Sequence, residues 1–215
     1  MRIAFIGGTG EEGMGLAYRF ALAGHQCTIG SRAIEKAEVA AAELSEKGGS
    51  LQIDGATNGD AVEDADLVVV TTPYTALAAT LPPLAEALAD KTVVSAVVPM
   101  AFEQGHASLI DVPEGSAAQQ AQALLPESTV VGAFQNLSAR KLLRDRPIEA
   151  DVVVCADDAD AKRRIMDLAA DISGVRGIDG GELANAKVVE AITVLLVSIN
   201  RAYKTQAGIR IAGVE

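Results

Sequence analysis

Three glycines near the start of the chain, Gly8, Gly10 and Gly13, constrain its fold more than any other feature. They form a G-x-G-x-x-G pattern that follows an apolar run, Arg2 to Ile6, and opens a helical stretch, Glu12 to Ala23. A second apolar run, Cys27 to Gly30, comes next. The opening ~40 residues therefore read as strand, helix, strand, the setting in which this glycine spacing binds a dinucleotide. Each glycine then has its own task. Gly8 permits the tight turn, Gly10 lets a pyrophosphate approach the backbone, and Gly13 lets the helix pack closely on the strand. Free N–H groups and the positive end of the helix dipole suit the phosphates. Thr9 and, by its place in the loop, Glu12 count among the positions lining the dinucleotide. The carboxylates of Glu11 and Glu12 are expected to point to solvent and to help start the helix, because the dipole favours anions there. Gly15 adds a further close-packing position.

The end of the second strand decides which dinucleotide fits. NAD-binding chains place an Asp or Glu roughly 20 residues beyond the glycines, where it holds the ribose hydroxyls. Here that strand ends Thr28-Ile29-Gly30-Ser31-Arg32, with no acid. Arg32 can pair with a 2′-phosphate and stack on adenine, Ser31 can donate a hydrogen bond, and Lys36 lies one helical turn beyond Arg32 on the same face. NADP(H) is therefore expected rather than NAD(H).

Beyond this start, strand-like runs at Leu67 to Thr71, Thr92 to Val97, Thr129 to Ala133 and Asp151 to Cys155 alternate with Ala-rich helical stretches. Such alternation implies an α/β fold of the Rossmann type, a doubly wound and mainly parallel sheet with helices on both faces. Hydrophobic residues make up 49% of the chain but aromatics only 3%, so the core is aliphatic, as in a buried parallel sheet. The 215 residues suit one main domain and an appendage, drawn at residues 1–180 and 181–215. In the second, small helical C-terminal domain, Leu183, Val188, Ala191, Ile192, Leu195, Leu196 and Ile199 recur at helical spacing. That stripe needs cover, from the main domain or from a second subunit in a homodimer or higher homo-oligomer.

A net charge of −11 argues against nucleic-acid and anionic-membrane partners, which require a basic surface. The N-terminus starts directly with a strand and no apolar run approaches the ~18 residues of a spanning helix, so neither a signal peptide nor an anchor is expected. Cys27 and Cys155 read as small buried hydrophobes in a reducing cytoplasm. His25 is expected to cap the first helix or meet solvent, and His106 sits in a polar loop. With two histidines and two distant cysteines, no metal-ligand cluster is visible.

The stretch GGTGEEGMG with the helix LAYRFALAGH, the strand end GSR and Lys36 resembles the F420-dependent NADP oxidoreductases. Further matches run through VVVTTPY at Val68 to Tyr74, DVPEGSAAQQA at Asp111 to Ala121, and the C-terminal NAKVVEAIT and YKTQAGIR, so the resemblance spans nearly the whole chain. It implies direct hydride exchange between NADP(H) and the deazaflavin coenzyme F420, with no metal and no flavin, in an oligomer joined through the small C-terminal region. The resemblance departs at Val98-Pro99 and at Phe134-Gln135-Asn136, both where the reactive rings should meet.

Ligands of open α/β sheets bind beyond the carboxyl ends of the strands. Thr72-Pro73-Tyr74, Val98-Pro99-Met100 and Phe134-Gln135-Asn136 should line the nicotinamide there, with Ala133 beside them. Hydride transfer between stacked rings needs alignment and dryness more than an acid or base. Val98, Pro99, Ala133, Phe134 and Gln135 are accordingly candidates for positioning the rings, and no residue stands out as an acid–base catalyst. Arg140, Lys141, Arg144 and Arg146 form a basic run that either meets the acidic tail of F420 or is an ordinary solvated face. A reductase of an imine or carbonyl is the alternative enzyme and would need a proton donor, for which Tyr74 is nearest. A third possibility is a protein that binds NADP without turnover.

Overall fold

The computed structural model describes residues 1–214. Its main sheet is built from β1 (Arg2–Ile6), β2 (Gln26–Ser31), β3 (Ile53–Thr57), β4 (Leu67–Val70), β5 (Thr92–Ser95) and β8 (Thr129–Gly132). They pair in the order β3-β2-β1-β4-β5-β8, every pair parallel. Helices α1 (Glu11–Leu22), α2 (Ile34–Lys47), α3 (Asn58–Glu63), α4 (Tyr74–Thr80) and α5 (Ala117–Leu124) make the crossovers. Side-chain alternation along β1 divides the core. Ile3 and Phe5 join one apolar cluster with Phe20, Ile29 and Phe134, while Ala4 and Ile6 join another with Val70, Leu77 and Val93. The chain winds outward from β1 to β3 and then returns to β4, so the direction of winding reverses between β1 and β4. Loops leaving these two strands diverge and open a crevice, which is where ligands of such sheets bind.

The run Asp151 to Cys155 is a strand, but not a member of that sheet. It forms β9 (Ala150–Val154), parallel to β10 (Val175–Asp179), and α7 (Ala159–Ala170) connects them. Among the described residues a single antiparallel bridge, Gly132 to Cys155, links the pair to the main sheet. β3 and β10 carry no clean apolar period because each holds a glycine under a crossing helix. A Cβ on Gly55 would lie 2.4 Å from the Glu38 backbone nitrogen, and one on Gly177 would lie 2.4 Å from the Met166 carbonyl oxygen. The hairpin of β6 (Met100–Glu103) and β7 (His106–Leu109) turns through Gln104 and Gly105, both with positive φ (50° and 79°). That is the backbone of a tight two-residue hairpin turn.

Asp151 is fully buried on β9, and its carboxylate accepts from Arg176 Nε at 2.8 Å and Nη2 at 2.7 Å. The Ile211 N–H donates to the same carboxylate at 2.7 Å and ties down the last segment. The guanidinium holds the Asp151 carboxyl below the ordinary carboxylate range, against the opposing effect of burial.

The C-terminal region begins with a 3₁₀ turn at Leu183–Asn185 and continues as α8 (Ala186–Tyr203). With a mean hydropathy of 1.5, Leu183–Tyr203 is long and apolar enough to cross a membrane by length and composition, so the expectation that no run is that long does not hold. The helix is docked on the sheet domain by a buried acid. Glu190 accepts N–H groups from Ala117 at 2.9 Å and Ala118 at 3.1 Å, in the first turn of α5. Burial raises its carboxyl to about 7, while the two N–H groups act in the opposite direction. The apolar stripe read from the sequence is only partly the docked face. Leu183 and Leu196 are buried, with Ala186, Val189 and Val194, whereas Val188 and Leu195 are each 58% exposed.

Candidate functional site

A cavity of about 1080 Å³ lies beyond the carboxyl ends of β1, β4 and β5, at the point where the winding reverses. Its lining runs from the glycine loop to Arg32 and Lys36 on one side, and to Val98, Gln135 and α8 on the other.

At the loop, the glycines divide their work differently from the sequence expectation. The positive-φ turn falls on Gly7 (φ 69°), whose N–H donates to Asn58 Oδ1 at 3.1 Å. Gly8 is instead a packing glycine, since its Cβ would lie 2.8 Å from the Phe5 Cβ. Gly13 packs as expected, with a Cβ placed 2.6 Å from the Gly8 Cα. A Cβ on Gly10 would meet nothing within 4 Å. The backbone thus faces open space next to the uncapped start of α1, the geometry that a bound pyrophosphate would need. Gly8 and Gly13 shape the loop without lining the cavity, whereas Thr9, Gly10 and Glu12 line it.

Glu12 corrects the expectation of a solvent-facing carboxylate. Glu12 is half-buried, its Oε1 is buried with no hydrogen-bond partner among the described residues, and burial pushes the carboxyl up to about 8. Glu11 is exposed. The far rim carries Ser31, buried with its Oγ accepting the Ala33 N–H at 3.2 Å, and the exposed Arg32 and Lys36. Among the described residues neither cation is in an ion pair, so both are free to meet an anion.

At the other end Thr72, Pro73, Tyr74, Val98, Met100, Gln135 and Asn136 come together. Thr72 Oγ1, both amide atoms of Gln135 and Asn136 Oδ1 are buried without partners among the described residues. Buried polar atoms of this kind are costly unless something satisfies them, so this end is chemically suited to a polar ligand group such as a carboxamide. Three ring-positioning candidates are not in the cavity lining. Ala133 and Phe134 are fully buried in the core, where Phe134 packs edge-on to Phe20 at 5.6 Å. Pro99 is buried, and its carbonyl accepts the Ile110 N–H. The chain turns at Phe134 (φ 71°), which sends that ring into the core and Gln135 toward the cavity.

α8 supplies wall residues that the sequence did not suggest: Thr193, Leu196, Val197 and Asn200, followed by Gln206. The Thr193 hydroxyl donates to the Gln135 carbonyl at 3.0 Å and couples this helix to the ring end. Asn58 and Arg19 were also missed. The buried Arg19 guanidinium gathers the carbonyls of Lys141 and Leu142, at the end of the single turn α6 (Ala139–Leu142), and those of Arg144 and Arg146 in the loop that follows it. The basic run therefore holds its shape through its backbone, and among the described residues Arg140 is the one of its four cations that lines the cavity. Both thiols are buried and free, with Cys27 pushed up to about 12 and Cys155 to about 11 by burial. His25 Nε2 lies 2.9 Å from Asp171 Oδ2, and His106 belongs to the exposed hairpin. Neither histidine lines the cavity.

Residues 2–99 match the family described as NADP oxidoreductase, coenzyme F420-dependent. A curated F420-dependent NADP reductase of Methanocaldococcus jannaschii is 43% identical over 223 aligned positions, covering 100% of both chains. Its counterpart from Methanothermobacter thermautotrophicus is 44% identical, over 98% of this chain and 94% of its own. Among solved structures, a putative F420-dependent NADP reductase from Arthrobacter superposes with a TM-score of 0.85 at 29% identity, over 99% of each chain. An imine reductase from Bacillus cereus shares the fold, with a TM-score of 0.64 at 19% identity over 94% of this chain and 63% of its own. With glycine loop, basic rim and full-length identity in agreement, the chain belongs to the F420-dependent NADP reductase family.

Proposed function

We infer that this protein is an oxidoreductase exchanging a hydride between NADP(H) and F420. The observation that carries it is full-length identity of 43% with a curated enzyme of that name. The cavity accommodates such a pair, being open at Gly10, cationic at Arg32 and Lys36, and lined by unpartnered amide atoms at Gln135. When bound, the nicotinamide supplies or accepts the hydride. The residues of this chain bind and orient. Arg32, Lys36 and Ser31 hold the 2′-phosphate, Thr9 and the N–H groups around Gly10 hold the pyrophosphate, and Gln135, Thr72 and Val98 fix the ring. Pro73 and Tyr74 close one wall. Reduction of F420 by NADPH also takes up one proton, which solvent can deliver after the hydride has moved. No side chain therefore has to move a proton at the transfer step itself, which suits a ring end built from valine, methionine and amides.

The test is direct. Purified protein mixed with NADPH and F420 should bleach the deazaflavin absorbance, with stoichiometric oxidation of NADPH. Failure to reduce F420, together with reduction of an imine or carbonyl that is lost in Tyr74→Phe, would overturn the assignment in favour of the alternative enzyme. NADPH binding without oxidation by any acceptor would leave a binding protein.

We further propose that residues 1–180 act as the cofactor-binding unit and that residues 181–215 complete the cavity and join two copies of the chain. Val188 and Leu195 on α8 are each 58% exposed, and Phe102 on the hairpin that packs near α8 is 61% exposed. An apolar surface of this kind favours cover by a second subunit. Sedimentation should give the mass of a dimer or larger assembly, and Leu195→Glu should shift it toward the monomer. A parent protein that stays monomeric at high concentration overturns this. Two free, buried thiols support a reducing cytoplasm as the working compartment.

A further inference from the structure

We propose that Glu12 binds the dinucleotide as a neutral acid, its carboxyl O–H donating a hydrogen bond to the pyrophosphate, so that NADP(H) affinity is lost when Glu12 ionises. The proposal rests on NADP(H) occupying the cavity and adds a residue and a pH dependence to that reading.

An acid in the first turn of a helix ordinarily folds back to cap the free N–H groups as a carboxylate. Glu12 does not. The N-cap position is Gly10, which offers no side chain, and Glu12 makes no hydrogen bond to the first turn of α1 among the described residues. Those N–H groups are left for an anion. Glu12 itself lines the cavity beside them, with Oε1 dry and unpartnered. A carboxylate placed there would repel a pyrophosphate and would leave Oε1 with neither water nor a protein donor among the described residues. A carboxylic acid has a proton to donate, and an anionic phosphate oxygen is the acceptor that the open space at Gly10 admits.

No charge partner provides another way to satisfy it. The charged and titratable groups on the surrounding elements are Glu11 beside it on α1, Arg32 at the end of β2, Lys36 on α2, Tyr74 on α4, and Arg140 and Lys141 on α6. None forms a hydrogen bond or ion pair with Glu12 among the described residues, and desolvation is what raises its carboxyl to about 8. The sign follows. Below that value the donor is present and affinity is flat; as pH rises through it the competent fraction falls and the dissociation constant climbs. Binding should therefore take up protons on the alkaline side.

The experiment is a fluorescence titration of the full chain with NADPH across neutral and alkaline pH. For the parent the dissociation constant should rise about tenfold between pH 7 and pH 9, as the competent fraction falls. Glu12→Gln keeps a donor but cannot ionise, and its profile should be flat at near-parent affinity. Glu12→Ala should also be flat, but weaker. Adenosine 2′-monophosphate carries no phosphate at its 5′ position and, read by its displacement of NADPH, should bind the parent without that alkaline loss. A flat parent profile overturns the proposal, as does a parent-like slope retained in Glu12→Gln or the same loss with the monophosphate. A parent that fails to bind NADPH at any pH overturns the cofactor reading and this proposal together, whereas NADPH binding with a flat profile overturns this proposal alone.

Discussion

Replacing Arg32 and Lys36 together by alanine is expected to weaken NADPH binding by about a hundredfold and to leave NADH binding nearly unchanged. Each cation can form a charge-assisted hydrogen bond to the 2′-phosphate worth about 1.5 kcal/mol, and two of them sum to about 3 kcal/mol. That corresponds to about a hundredfold in dissociation constant. Both side chains are exposed at the cavity rim and neither is engaged in an ion pair among the described residues, so their removal breaks no internal contact. The parent should prefer NADP(H) by at least about tenfold, and Arg32→Ala alone should remove most of that preference. Calorimetric titration of the parent and the variants with both dinucleotides decides this. Equal affinities for NADPH and NADH in the parent would sink the role given to this rim.

The second large effect concerns the ring end. Val98→Trp should lower turnover of NADPH with F420 by at least about a hundredfold, since displacing reacting atoms by ~1 Å already costs that much. Val98 is half-buried and lines the cavity just beyond β5, between the loops that follow β4 and β8. An indole there would fill the space in which two rings have to stack. NADPH should still bind through Arg32 and the glycine loop, so steady-state rates must be read beside a binding titration. A variant with parent-like turnover would show that the rings meet elsewhere. Ala133 cannot serve the same test. It is fully buried in the core, and a large residue there would damage packing before it reached any ligand.

What the residues alone determined is local in origin. The glycine spacing, the missing acid at Ser31-Arg32 and the alternation of apolar runs depend on contacts within a strand–helix–strand unit or on a period along the chain. They sufficed for the Rossmann-type sheet and for placing the glycine loop and the basic residues Arg32 and Lys36 at the cavity. β3 and β10 were hidden because Gly55 and Gly177 interrupt the apolar period where a helix crosses, a demand that only packing imposes. Gly7 took the turn from Gly8 because Thr72, far along the chain, closes over it, with a Cβ on Gly7 only 2.5 Å from the Thr72 Cγ2.

Burial and facing were decided by tertiary structure. Phe134 and Gln135 are neighbours in sequence, yet one is core and the other lines the cavity, because a positive φ at Phe134 separates their directions. Glu12 is acidic at a helix start, where local electrostatics alone place it in water. The fold instead removes its Oε1 from solvent, and the cost of desolvation raises the carboxyl to about 8. In the same way α8 carries a plain apolar pattern, but its buried Glu190 on the start of α5 and the Thr193 hydroxyl on Gln135 exist only once distant segments meet. The order of residue types along the chain selects a fold with this cavity. Desolvation and long-range contact, which no spacing encodes, determine which of its side chains are charged, dry or turned toward a ligand.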